Sequence, residues 1–160
     1  TTSTEDQPTL IPKKFRLELP AGKINDIFDE LKKLDATRYR HAVSVLFRVF
    51  LEISLTEFIK SHNIVLPRDK NNRVDDSLQT KLKKTLEYIK AQGIMNDNEL
   101  KPINVAISNK EDFLSPNTLN AYVHGPWMNP DPLRLKLSWA NVQPFIEKLW
   151  TPKSNAGQDA

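Results

Sequence analysis

The sequence predicts an all-α fold, a compact bundle of five to six helices around one long central helix. Apolar residues recur at spacings of three and four along most of the chain, which is the period of an amphipathic helix. The four glycines all fall between the segments that carry this period, where helices are expected to end. A length of 160 residues with a hydrophobic share of 39% suits one globular domain.

The first predicted elements are an extended arm and a short helix. Prolines punctuate residues 1–20, and Phe15, Leu17 and Leu19 alternate with polar residues, which is typical of an extended segment lying on a surface. We interpret this segment as an extended arm or a linker remnant. The apolar spacing then changes to three and four, which predicts a first helix at about residues 22–34.

The second helix, at about residues 37–61, is apolar on nearly every side and is therefore expected to be central. Residues 63–76 are polar and turn-rich, which indicates an exposed loop. A third helix begins near Asp76 or Ser77 and stops before Gly93. Four of its apolar residues are predicted to face inward: Leu78, Leu82, Leu86 and Ile89.

Three further helices are predicted in the second half of the chain. The fourth spans about residues 97–109, and the fifth is capped by Ser115 and ends at Gly125. The last helix starts at Asp131 and runs to Trp150. The chain therefore divides into an arm, one helical domain and a disordered tail, at residues 1–20, 21–150 and 151–160.

Composition excludes several function classes. The net charge of +3 arises from 23 basic and 20 acidic residues, which indicates a mixed surface rather than a polycationic nucleic-acid arm. The chain has no cysteine, so disulfides and thiolate metal sites are excluded and a cytoplasmic location is expected. Its three histidines lack a metal-binding spacing, and its scattered glycines form no phosphate-binding loop. We therefore expect neither a metal nor a cofactor.

The sequence predicts no membrane partner. The most apolar window, residues 41–60, is interrupted by three charges: Arg48, Glu52 and Glu57. Each would cost about 2.5–3.5 kcal/mol at the centre of a bilayer, so this window is a core helix. Residues 1–8 have neither a starting methionine nor the apolar run of a signal peptide, and we interpret them as the cut end of a longer polypeptide.

A polar pair near the end of the fifth helix is the candidate catalytic site. Asn120 and His124 are four residues apart and share a helix face, beside a proline-rich loop that carries Trp127. In a functional interpretation, His124 is a general base toward a ribose 2′-hydroxyl and Asn120 orients phosphate or water. In a structural interpretation, Asn120 bonds a loop carbonyl and His124 caps the helix.

The run from Asn120 to His124, with the proline-rich loop and the helix ending at Trp150, resembles the HEPN-like C-terminal helical domain of prokaryotic proteins that carry ParB-like or related nuclease modules. The resemblance covers roughly residues 20–150. It implies an RNase motif of an arginine, a polar residue, three variable residues and a histidine, paired across a dimer. Leu119 stands where that arginine is expected, and this departure favours a non-catalytic role.

Charged and aromatic residues provide the remaining candidate binding sites. Arg48 and Glu52 lie four apart in the most apolar helix, which indicates either an internal ion pair or an Arg48 that projects toward the polar pair and replaces the missing arginine. Lys81 and Lys84 either follow a phosphate backbone or form a solvated helix face. Trp127, in its polar loop, is the candidate for an exposed contact.

These observations predict a non-catalytic HEPN-like interaction module of a larger prokaryotic defence or partition-type protein. The expected partners are a second copy of the chain, RNA or DNA, and other domains of the same polypeptide. The alternative is a metal-independent endoribonuclease that uses His124 and Asn120 at a homodimer interface. A helical ligand sensor is a third class, because helix bundles often hold pockets between their helices.

Overall fold

The computed structural model describes residue 4 and residues 6–108 and 130–151. These residues form five helices: α1 (Lys23–Leu31), α2 (Arg40–Ser61), α3 (Leu78–Ala91), α4 (Asp97–Ser108) and α5 (Pro132–Trp150). The described residues contain no strand, only two isolated β-bridges that join Thr9 to Asp35 and Arg68 to Val74. The predicted all-α class is therefore confirmed.

Two predicted elements lie outside the described residues: the helix between Ser115 and Gly125, and the tail from residue 152 onward. A second property of the described helices is their length and apolar character. None of them combines the length and the apolar character required to cross a membrane.

Side-chain caps start two helices at the residues that the sequence predicts. The Ser77 hydroxyl accepts a hydrogen bond from the Thr80 amide at the start of α3, at 3.3 Å. The Asp131 carboxylate accepts one from the Leu133 amide at the start of α5, at 3.0 Å, and Pro132 occupies the first position of that helix. Each cap satisfies an amide that has no partner within its own helix.

The connection between α1 and α2 is longer than the sequence predicts. α1 ends at Leu31 and α2 begins at Arg40, whereas the predicted limits are 34 and 37. The carboxylate of Asp35 accepts hydrogen bonds from the amides of Thr37 and Arg38, at 2.9 and 2.8 Å. This side chain competes with helical bonding and turns the chain between the two helices.

The described part of the N-terminal arm is built into the core. Leu10 and Ile11 are fully buried, and the Ile11 amide donates to the Leu31 carbonyl at 3.3 Å. From the other side, the ammonium of the buried Lys136 donates to the Gln7 carbonyl at 2.9 Å. The alternating arm residues are partly buried against the same core: Phe15, Leu17 and Leu19. The arm thus joins α1 to α5.

An aromatic cluster fills the space where α2 meets α5. Trp139 is 1% exposed, and its ring lies 5.9 Å from those of Phe15 and Phe47 and 6.0 Å from that of Phe50. These pairs are edge-to-face or tilted, the arrangements that aromatic quadrupoles favour. Helix α2 also contacts α1 and α3, while α4 packs on α5. Helices α3 and α4 therefore pack on different partners.

Candidate interaction groove

The turn between α3 and α4 is fixed by the end of α3. Gly93 has a φ of 68°, in the left-handed region that glycine adopts without strain. The Gly93 amide donates to the Lys90 carbonyl at 3.1 Å, and the Ile94 amide donates to the Ile89 carbonyl at 3.0 Å. This is the Schellman arrangement that satisfies the last carbonyls of a helix. It turns the chain sharply after α3.

The start of α4 is fixed just as firmly. The Asn96 side chain accepts from the Glu99 amide at 2.9 Å, and the Glu99 carboxylate accepts from the Asn96 amide at 3.0 Å. This reciprocal pair is a capping box. Met95 before it and Leu100 after it are both buried, in the positions of a hydrophobic staple. The entry angle of α4 is therefore set by local contacts.

A groove of about 490 Å³ opens between the two helices, because α3 packs on α2 while α4 packs on α5. We call it the α3–α4 groove. Among the described residues, its apolar lining is aliphatic and comes from both helices: Leu78, Leu82, Leu86, Leu100 and Ile107. Of these, Leu86 and Ile107 are only partly buried. Apolar surface of this kind gains free energy when a partner removes it from water.

The rim of the groove carries charges of both signs. At the end nearest the turn, the Lys90 ammonium lies 3.1 Å from the Asp97 carboxylate and joins α3 to α4. The carboxylate of Glu87 lies 3.3 Å from the Lys84 ammonium. Lys83 is exposed and forms no ion pair with the described residues. The groove is therefore apolar inside and polar at its edge, the usual composition of a binding site.

Two residues singled out in the sequence, Glu52 and Lys81, lie together between α2 and α3. The Lys81 ammonium donates to the Thr56 hydroxyl at 3.1 Å and lies 3.9 Å from the Glu52 carboxylate. The Lys81 side chain is only 12% exposed. Arg48 lies one turn before Glu52 on α2 and is partly buried. Lys81 thus ties α3 to α2.

Lys84 is the other lysine singled out in the sequence, and it lies one turn after Lys81 on α3. Its side chain is 35% exposed and is paired with Glu87. The remaining candidates, Asn120, His124 and Trp127, lie outside the described residues. The described residues contain no group of three or more side chains that could hold a metal ion.

Sequence reasoning did not find the groove, although it predicted the apolar face of α3 that forms one of its walls. The spacing of Leu78, Leu82 and Leu86 predicted one inward face of α3, and Leu78 and Leu82 are indeed buried. Periodicity identifies an apolar stripe but does not identify the helix that covers it. The spacing of Leu100 and Ile107 gives α4 an apolar stripe of its own. This second stripe is the signal that could have indicated a groove between α3 and α4.

Comparisons of the chain with protein-family models, with curated proteins and with solved structures found no match. The geometry of the groove and its charges are therefore the basis for a functional interpretation.

Proposed function

We propose that this chain is a non-catalytic interaction module that binds an amphipathic helix of a protein partner in the α3–α4 groove. The observation that carries the proposal is the groove itself, an aliphatic depression between two helices that each pack elsewhere. Helix-in-groove recognition requires an apolar channel between helices and a polar border. The described residues supply both features.

The dimensions of the groove suit a helix. From Leu78 to Lys90 the axis of α3 rises about 18 Å, or about three helical turns. Leu78, Leu82 and Leu86 follow one another at four-residue intervals along that length, so they can meet side chains spaced by one turn on a partner. A partner with leucines at the same interval would bury apolar surface, and each Å² removed from water contributes about 25 cal/mol of favourable transfer free energy.

Two lysines of α3, Lys81 and Lys84, favour protein contact over contact with a nucleic-acid backbone. Lys81 is held between helices by Thr56, and Lys84 is paired with Glu87. A phosphate contact would have to replace these interactions. The resemblance to HEPN-like domains adds the expectation that the partner belongs to the same prokaryotic defence or partition-type system, as another protein or as another domain of a longer polypeptide.

Methyl NMR of the purified chain tests the proposal. The probe is a synthetic amphipathic peptide of about three turns with leucines at four-residue intervals. We expect its addition to shift the methyl signals of Leu82, Leu86 and Ile107, and to leave those of the buried Val43 and Ile146 in place. Shifts spread evenly over the whole chain would contradict binding in the groove.

A pair of matched variants tests the same proposal without assigned NMR signals. Leu86→Asp places a charge in the groove and should abolish peptide binding. Val45→Asp makes the same change at a site on α2 that is 48% exposed, and should leave binding unchanged. Circular dichroism checks that both variants fold. Equal binding by wild type and Leu86→Asp would refute the proposal.

The endoribonuclease and nucleic-acid alternatives are tested separately. Purified protein is incubated with labelled RNA in EDTA, beside His124→Ala and Asn120→Ala variants. RNA cleavage that is lost in both variants would establish the enzyme and overturn the non-catalytic proposal. Light scattering over a range of concentrations tests the expected homodimer, and salt-sensitive binding of RNA or DNA that is weakened by Lys84→Ala would restore nucleic acid as a partner.

A further inference from the structure

The charges on the rim of the α3–α4 groove are unequally neutralised. Lys90 is paired with Asp97 across the end of the groove nearest the turn, and Glu87 is paired with Lys84 along α3. Each of these pairs balances its own charge. Lys83 also lines the groove, but it forms no ion pair with the described residues. Among the four charged residues that line the groove, Lys83 is therefore the one without an ion pair in the described part of the chain, and its ammonium is open to an occupant.

The surroundings of Lys83 favour a carboxylate. Gln79 precedes Lys83 by one helical turn and lines the same side of the groove, so an ammonium and an amide border the apolar channel together. Both groups donate hydrogen bonds. Asn104 contributes a second amide from α4. A carboxylate accepts from such donors more strongly than a neutral oxygen does.

We propose that the helix bound in the α3–α4 groove carries an aspartate or glutamate beside its leucine anchors, and that this carboxylate pairs with Lys83 and Gln79. The inference rests on the proposed function and adds the sign of the partner's charge. A basic residue at the same position of the partner would face Lys83 with a like charge. The rim thus selects among helices that the aliphatic channel alone would accept equally.

The exposure of Lys83 sets the expected difference in affinity between an acidic and a neutral helix. Exposed ion pairs contribute modestly, so the acidic helix should bind about two- to fivefold more tightly than a neutral one. A basic helix should bind more weakly than the neutral one, because its charge and that of Lys83 repel each other. Both effects should shrink as salt is raised, because exposed charges are screened.

Two synthetic peptides test the inference. They share the same leucines and differ only at one flanking position, which is glutamate in the acidic peptide and lysine in the basic peptide. Binding of each is measured by fluorescence anisotropy. Wild type should prefer the acidic peptide, and Lys83→Glu should reverse the preference. Lys148→Glu makes the same charge change at an exposed site on α5 that does not line the groove, and should keep the wild-type preference.

The outcomes separate this inference from the function on which it rests. If both peptides bind wild type equally and Lys83→Glu changes neither, the charge selection is refuted while groove binding stands. If neither peptide binds, groove binding fails and the inference fails with it. If light scattering shows a dimer that Leu86→Asp dissolves, the occupant is a second copy of the chain, and the proposed acidic partner is overturned.

Discussion

The α2–α5 interface and the α3–α4 groove use apolar residues in different ways. Between α2 and α5, Phe47, Phe50 and Trp139 are at most 1% exposed, and the ring of Trp139 contacts both phenyl rings. Between α3 and α4 the apolar side chains are aliphatic, and Leu86 and Ile107 remain partly open to solvent. The first region is a closed interior, whereas the second still has apolar surface to bury.

The contrast does not arise from weak local structure around the groove. The turn from α3 to α4 contains a glycine in the left-handed region, a Schellman pair and a complete capping box. Both helices are therefore well specified by their own ends. They leave a groove because each packs on a different neighbour. Stability and binding should consequently respond to different substitutions in this chain.

Trp139→Ala should give the largest effect on stability. The indole is 1% exposed and borders three other rings, so its removal leaves a cavity and should cost about 3–5 kcal/mol of unfolding free energy. Leu86→Ala, in the groove, should cost roughly 1 kcal/mol or less because that side chain is already partly exposed. Urea denaturation of both variants makes the comparison, and equal losses would remove the distinction between the two regions.

Much of this architecture is readable from the sequence, because it depends on neighbouring residues. The long helix α2 and the starts of α3 and α5 at Ser77 and Asp131 follow from apolar patterning and capping chemistry. A break near Asp35 was predicted, but its full length was not, since the same residue type can cap a helix or turn the chain before it.

The candidate site is less readable, because it depends on tertiary packing. Lys81 and Lys84 look alike on the exposed side of a helical wheel, yet Lys81 is held against α2 by Thr56. Only the position of α2 distinguishes them. Similarly, no pattern within α3 or α4 indicates that the two helices pack on separate partners. The predicted pair of Asn120 and His124 lies outside the described residues and stays a prediction.

The second-largest effect on stability is expected at a hydrogen bond between α2 and α5. The Ser54 hydroxyl donates to the Phe50 carbonyl at 2.8 Å and accepts from the Trp150 indole at 2.9 Å. Ser54→Ala leaves the indole without its acceptor and should cost about 1–2 kcal/mol. Ser61→Ala is the matched control, because Ser61 makes the same bond to its own helix at an exposed position. A similar loss in both variants would show that the link between the helices contributes nothing.

A smaller effect, of opposite sign, is expected on the inner face of α3. The hydroxyl of Thr85 is fully buried and has no hydrogen-bond partner in the described structure. Thr85→Val keeps the shape of the side chain and removes this unsatisfied group, so it should raise stability by about 1 kcal/mol. Peptide binding in the groove should not change, because Thr85 does not line it. A variant less stable than wild type would mean that the hydroxyl contributes to the native state.

The smallest effect is a dependence on pH at the start of α3, near the end of the groove that lies away from the turn. Hydrogen bonds from the Thr80 side chain, and then from Ser77, hold the pKa of Asp75 below its ordinary value of 3.8. A carboxyl whose pKa is lower in the folded chain contributes stability above its unfolded pKa, and this contribution disappears as the pH falls through the folded value. Asp75→Asn should therefore be less stable than wild type at neutral pH, and the difference should vanish in acid.

Thr80→Val tests whether the hydroxyl causes that shift, since it removes the donor and keeps the carboxylate. Thermal unfolding is followed from neutral pH to below pH 3.8, the ordinary value for this carboxyl. Thr80→Val should approach the pH profile of Asp75→Asn, and the two changes together should add little to either one, because they remove the same bond. A Thr80→Val profile parallel to that of wild type would assign the shift to Ser77 instead. In either case the preference for the acidic peptide should be retained at neutral pH, because it depends on Lys83 and not on the cap of α3.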